Sequence, residues 1–229
     1  IILNNKVNNH NKRAIKLANT QWGKKIREGF SIDKKNSIKK ILPMKATKFN
    51  INKVVFPAYT QPKLDGLRGM YVDKNMYSKS GKIFLHLNHI LDELKKINYN
   101  LDGELFSKTI SFNEVKGLLQ RKDKPTNITK INYYVFDLIS DEPFEKRYNI
   151  LKNIFKKNKF KYIHLIKSDL INNKDQIDKR MEKYLSEGYE GMIIRNKKGK
   201  YLPGKASYDI FKTKSSFINN FKIVGYKFD

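Results

Sequence analysis

Lys63 stands in Gln61-Pro62-Lys63-Leu64-Asp65-Gly66-Leu67-Arg68-Gly69, where an amine, a carboxylate and a guanidinium fall within six residues. An amine attacks phosphorus or carbon only when unprotonated, and a free lysine keeps its proton to about pH 10.4. Neighbouring cations and burial lower that value, and Arg68, later lysines or a bound metal could supply the cations. Gly66 would let the backbone approach a ligand closely. A basic surface turn, bent at Asp65-Gly66, is the plainer reading of the same residues.

Four later segments could serve the same chemistry. Leu101-Asp102-Gly103-Glu104-Leu105-Phe106 puts Asp102 and Glu104 on one face of a strand, because side chains alternate with period two. Asn132-Tyr133-Tyr134-Val135-Phe136-Asp137-Leu138 is an aromatic strand that could offer a ring to a purine. Glu187-Gly188-Tyr189-Glu190-Gly191-Met192-Ile193-Ile194-Arg195 runs from a helix end into an apolar strand opened by an acid. Phe211-Lys212-Thr213-Lys214 puts two lysines on one strand face. Each segment also has a structural reading: a solvated strand end, a core strand or a wet edge.

These residues need a scaffold, and the apolar pattern indicates one. Strands are predicted at 69–73, 75–79, 99–106, 131–138, 161–167, 190–195, 208–214 and 221–227. Helices are predicted at 12–28, 88–97, 111–119, 144–157 and 173–187. The first two strands are too close for a crossover helix and should form an antiparallel hairpin. An α+β architecture with antiparallel sheets follows. Residues 1–11 are Asn-rich and predicted to be poorly ordered, and 31–57 read as a basic, irregular approach.

Composition narrows the partners. Lys and Arg number 48 against 22 Asp and Glu, a formal net charge of +26. Such a chain attracts polyanions, and a phosphate backbone is the obvious one. A general enrichment in Lys, Asn and Ile, plain in IILNNKVNNHNK, would raise the charge without any partner. There is no Cys and only four His, which argues against disulfides, thiolate chemistry and structural zinc. Any metal should be hard and carboxylate-bound, magnesium or manganese. No apolar run nears the ~18 residues of a membrane span, and no signal-peptide pattern opens the chain. An intracellular monomer that is neither secreted nor membrane-bound is expected. The chain opens on Ile, so its true start is expected upstream.

Taken in this order, the segments resemble the covalent nucleotidyltransferase superfamily of DNA ligases, RNA ligases and mRNA capping enzymes, from about Pro43 to the end. Ser78-Lys79-Ser80-Gly81-Lys82 fills the family's small motif after the nucleophile. Phe56-Pro57-Ala58-Tyr59-Thr60-Gln61-Pro62-Lys63-Leu64-Asp65-Gly66-Leu67-Arg68 looks most like compact ATP-dependent DNA ligases of viral, phage or bacterial type. The resemblance implies an ATP-grasp-like nucleotidyltransferase domain over 43–220. A polar, helical extension would precede it at 1–42, and the first strand of an OB domain would follow at 221–229. It implies that Lys63 takes AMP from ATP, with magnesium or manganese, and delivers it to the 5′-phosphate of nicked double-stranded DNA.

Roles follow from the same resemblance. Gln61, Pro62, Leu64, Arg68, Glu104, Phe136, Met192, Lys212 and Lys214 would bind the nucleotide, with Phe136 stacked on adenine and the two lysines on the α-phosphate. Glu190 and Glu104 would hold the metal. Lys79 and Arg195 would meet phosphate or nucleic acid. Many relatives carry a carboxylate two residues before the nucleophile, where it accepts a hydrogen bond from the adenine amine. Gln61 stands there in this chain, and an amide can flip to offer a donor instead. An RNA ligase, a capping guanylyltransferase and an inactive nucleic-acid-binding subunit are the rival readings. NAD-dependent ligases fit poorly, for want of a Cys–zinc module.

Overall fold

The computed structural model describes residues 2–27 and 42–214. The expected strand at 221–227 lies outside the described residues. Helix α1 spans Ile2–Arg27 and so begins ten residues before the predicted start at 12. Once a helix is nucleated, each further residue adds a hydrogen bond, which lets even a poor former such as Asn extend it. Its Ile15, Leu17 and Trp22 are exposed. No described helix is long and apolar enough to cross a membrane.

Residues 42–214 form two five-stranded sheets. The strands are β1 (Lys45–Lys48), β2 (Ala58–Lys63), β3 (Leu67–Val72), β4 (Asn75–Ser78), β5 (Leu101–Phe106), β6 (Asn132–Leu138), β7 (Ile163–Leu165), β8 (Asp169–Ile171), β9 (Gly191–Asn196) and β10 (Ala206–Lys214). One sheet runs β1-β10-β9-β2-β8 and the other β4-β3-β5-β6-β7. The hairpin β3–β4 is antiparallel, as its short connection requires. Two pairs are parallel, contrary to expectation: β1 with β10 and β6 with β7. Helix α4 (Phe144–Lys157) is the crossover that lets β7 lie parallel to β6.

The helices pack against the two sheets. In α4, Phe144, Arg147, Tyr148 and Leu151 are buried, the i, i+3, i+4, i+7 stripe of one helix face. Helix α2 (Asn88–Leu94) sends Ile90 and Leu94, and α3 (Phe112–Gln120) sends Val115 and Leu119, into the core of the second sheet. Burying each such side chain stabilises the fold by roughly 1.5–3 kcal/mol. A capping box starts α3: Ser111 Oγ accepts from the Glu114 backbone N–H, and the Glu114 carboxylate accepts from that of Ser111. Helix α5 (Asp175–Ser186) lays Ile177, Met181 and Tyr184 on Met192, Ile194 and Phe211 of the first sheet.

With α2, α3 and α5 outside, the other faces of the two sheets meet, and Phe144 and Tyr148 of α4 pack between them on Tyr59 of β2. Alternation then decides which residues line the space between them. Gln61 and Lys63 of β2, Ile193 and Arg195 of β9, and Ile210 and Lys212 of β10 point inward from one sheet. Arg68 of β3, Glu104 of β5 and Phe136 of β6 point inward from the other. Strand β2 is hidden in the sequence because its Gln61-Pro62-Lys63 end breaks the apolar alternation. β2 is held on both sides, by β9 and β8.

Candidate active site

The cleft between the sheets encloses about 660 Å³, within the usual range for a small-molecule site. Lys63 ends β2 at its mouth, paired in register with Gly191. The next residue back, Glu190, donates its backbone N–H to the Lys63 carbonyl at 3.0 Å. That bond sets the two side chains together, and Lys63 Nζ forms an ion pair with Glu190 Oε2. Lys214 Nζ takes the other oxygen, Oε1. One carboxylate thus bridges two lysines, and the three residues come from three different strand ends. Burial raises the Glu190 pKa, but the hydrogen bonds from Lys214 and Lys63 outweigh it and hold the carboxyl below its ordinary range. The Lys214 ammonium is pushed up by the same contact.

Close packing fixes this corner. A Cβ on Gly191 would lie 2.3 Å from the Thr213 carbonyl, and one on Gly66 would lie 2.5 Å from that of Leu105. Gly66 is therefore required by contact with β5, and not only by an approaching ligand as the sequence suggests.

Asp102 and Glu104 share a face of β5, as predicted, but differ in role. Asp102 is fully buried and pairs with the Arg68 guanidinium, and Tyr201 donates its hydroxyl to the same carboxylate at 2.6 Å. Burial works against the Arg68 charge, yet Asp102 holds its pKa above the ordinary value. Arg68 also donates to the Met44 carbonyl at 3.2 Å, and its guanidinium carbon lies 4.7 Å from the centre of the Phe136 ring. Among the described residues Glu104 has no such partner. Burial pushes its carboxyl up to about 7, against the pull of Arg68 and Lys63.

Two expected site residues are placed otherwise than expected. Met192 is fully buried under α5, on the opposite face of β9 from the cleft. Period two sends its neighbour Ile193 into the cleft instead. Arg195 is buried and not placed to meet nucleic acid. It donates from Nη1 to Asp137 Oδ2 and from Nε to Gln61 Oε1, each at 2.7 Å. Asp137 also pairs with buried Arg147 at 2.7 Å. Leu64 packs with Tyr134 and Ile166 at the cleft floor, and Pro62 lines the same cleft. The sequence pattern assigns no role to Asp137, Arg147, Ser168 or Tyr201. It also leaves the 43–48 segment, which lines the cleft as β1 and its approach, as irregular.

A second groove, of about 950 Å³, opens from the first and shares Lys45, Gly66, Arg68 and Lys79 with it. Lys79, Lys82, Arg121 and Lys122 line this groove beside the exposed Ile83 and Leu85.

Among the described residues no three His, Asp or Glu side chains converge into a metal cage. The carboxylates nearest Lys63 are Glu190, Glu104 and the exposed Asp65, which acts on Glu104 and Lys214 through space. Few, hard oxygen donors suit a magnesium ion that keeps its waters and takes further ligands from substrate phosphates.

A family model described as ATP dependent DNA ligase domain matches residues 43–214. The DNA ligase of African swine fever virus, isolate Warthog/Namibia, is 33% identical over 189 residues, covering 73% of this chain and 44% of its own length. The Badajoz 1971 strain gives the same figures. This chain thus spans under half the length of those relatives. Among solved structures, a Chlorella virus DNA ligase-adenylate is similar with a TM-score of 0.67 at 26% identity, over 76% of this chain and 67% of that one. An ATP-dependent DNA ligase from bacteriophage T7, in complex with ATP, has a TM-score of 0.64 at 21% identity, over 77% and 69%. The second likeness bears on the fold alone.

Proposed function

This chain belongs to the ATP-dependent DNA ligase family, and from that premise we propose that Lys63 is the residue that takes AMP from ATP. The Lys63 amine attacks the α-phosphorus, a P–N bond forms, the bond to pyrophosphate breaks, and the amine loses a proton. AMP then passes to the 5′-phosphate at a nick in duplex DNA, and the 3′-hydroxyl displaces it to seal the strand. The observation that carries this reading is the corner where Lys63, Glu190 and Lys214 converge at the mouth of a nucleotide-sized cleft.

An ammonium has no lone pair, so a proton must leave Lys63 before attack, to solvent or to the Glu190 carboxylate that it contacts. An arriving α-phosphate offers Lys214 a second partner, and Lys212 faces the same cleft. Both lysines would stabilise the charge that grows as pyrophosphate leaves. Glu190 and Glu104 would hold magnesium or manganese, which when bound neutralises phosphate charge and polarises the phosphoryl group. Phe136 would lie against the adenine, in a cleft walled by Leu64, Ile166 and Ile193. The basic groove of Lys79, Lys82, Arg121 and Lys122 would carry the DNA backbone past the reacting end.

The test is incubation with α-labelled ATP and magnesium, then a denaturing gel. Label should stay with the wild-type chain and be absent from Lys63→Ala. Sealing of a nicked duplex, compared with nicked RNA, then reads the acceptor. Label from GTP in place of ATP, or sealing of RNA alone, would replace the proposal with one of its rivals.

A further inference from the structure

Gln61 has two amide hydrogens and one carbonyl oxygen with two lone pairs. In the structure both hydrogens are engaged. Nε2 donates to the Phe136 carbonyl at 3.0 Å and to Ser168 Oγ at 2.9 Å. Oε1 accepts from Arg195 Nε at 2.7 Å, and no other described group donates to it. The side chain is almost fully buried yet lines the cleft. Among the described residues, the only hydrogen-bonding capacity left to the Gln61 side chain is one acceptor site.

A flipped amide would place its NH₂ against the Arg195 N–H, donor on donor, and its oxygen against the Phe136 carbonyl, acceptor on acceptor. Arginine has no acceptor and a carbonyl no hydrogen, so neither partner can adapt. Leaving such buried groups unpaired is costly. Arg195 is itself held by Asp137, which Arg147 fixes from the other side. Cross-strand geometry makes the contact possible. Gln61 pairs with Ile193, and Arg195 is two residues farther along β9, a diagonal neighbour within reach of a long side chain.

We propose that Arg195 is a positioning residue for the donor base. Anchored on Asp137, it locks the Gln61 amide with the carbonyl as its one free group, so that the adenine amine, which the resemblance brings to this position, meets an acceptor. The inference rests on reading the cleft as the donor-nucleotide site. It makes an amide do the work of a carboxylate: adenine can donate to the locked oxygen, whereas a 6-oxo purine meets acceptor with acceptor.

The experiment is equilibrium binding of three nucleotides to the full chain carrying Lys63→Ala, which forms no covalent adduct. They are ATP, inosine triphosphate with a 6-oxo group, and purine riboside triphosphate with hydrogen there. ATP should bind about 3–10-fold tighter than the 6-hydrogen analogue and about 10–100-fold tighter than inosine triphosphate. Adding Arg195→Met should reduce the ATP-to-inosine preference to within about 3-fold, and Arg195→Lys, which keeps a donor, should restore most of it. Gln61→Met should lose the preference equally, and Gln61→Met with Arg195→Met should lose no more than either alone. A preference unchanged by Arg195→Met, or losses that add in the double variant, would overturn the proposal. Each preference is a ratio measured on one sample, so a partly inactive preparation does not distort it. Should Arg195→Met fail to fold, Gln61→Met decides alone: an unchanged ratio there overturns the lock. The wild-type labelling gel separates the two readings. No transfer from ATP to Lys63 defeats the ligase reading. Transfer without base preference in binding defeats only the lock.

Discussion

Replacing Glu104 by Gln should stabilise the protein, and by an amount that depends on pH. Burial raises the Glu104 carboxyl from the ordinary 4.5 to about 7. A raised acid binds its proton more tightly in the folded state, so folding stability falls as pH rises from about 4.5 to about 7 and is flat above. At about 1.36 kcal/mol per pH unit, the loss is up to about 3 kcal/mol. Gln keeps the shape and cannot ionise. The stability difference between Glu104→Gln and wild type should therefore be near constant below pH 4.5, grow through the window, and level off above pH 7. In a domain of this size up to about 3 kcal/mol corresponds to roughly 6–12 °C in melting temperature. The assay is thermal melting of both proteins from pH 4 to 8.5, without nucleotide or metal; other titrating groups cancel in the difference. The same substitution should lower AMP transfer. A difference independent of pH would show that Glu104 ionises normally and that the burial argument is wrong.

Four other outcomes are expected. Lys63→Arg should be as inactive as Lys63→Ala in labelling, since guanidinium does not lose its proton, with melting temperature nearly unchanged for both. Glu190→Ala should cut AMP transfer severely while costing little stability, whereas Asp102→Ala should destabilise by about 3–5 kcal/mol by stranding Arg68; melting and labelling of both variants check this, and the reverse order would exchange their roles. Phe136→Ala should raise the ATP concentration needed for labelling and Phe136→Tyr should be mild, whereas equal thermal losses would mark the ring as core. Reversing Lys79, Lys82, Arg121 and Lys122 to Glu should weaken duplex binding and flatten its salt dependence, by about 0.9 in log–log slope for each phosphate no longer neutralised; an equal effect from four lysines elsewhere would reduce the groove to bulk charge.

The nucleophile corner is legible in the sequence because its parts sit at strand ends, where the motif itself fixes the spacing. Lys63, Glu190 and Lys214 meet because β2, β9 and β10 are neighbours in one sheet. Period two alone places Glu104 and Asp102 on one face. Their division of labour is not legible, since it depends on Tyr201 and Arg68 reaching Asp102 from distant positions. Met192 differs from expectation by one residue of strand phase, which moves a side chain from cleft to core. Arg195 reads as a cation for phosphate or nucleic acid because nothing in the sequence reveals that Asp137 waits across the sheet interface. Strands β1 and β2 are obscured because one is four residues long and the other ends in a polar motif.

Every role proposed for the cleft depends on Lys63 carrying AMP. That can be read by incubating the chain with ATP and magnesium, digesting it, and locating the AMP adduct by mass spectrometry. The adduct should fall on the peptide containing Lys63, at that side chain, and vanish with Lys63→Ala. An adduct on Lys212, Lys214 or any other residue, or one that survives Lys63→Ala, would mean that Lys63 is not the nucleophile.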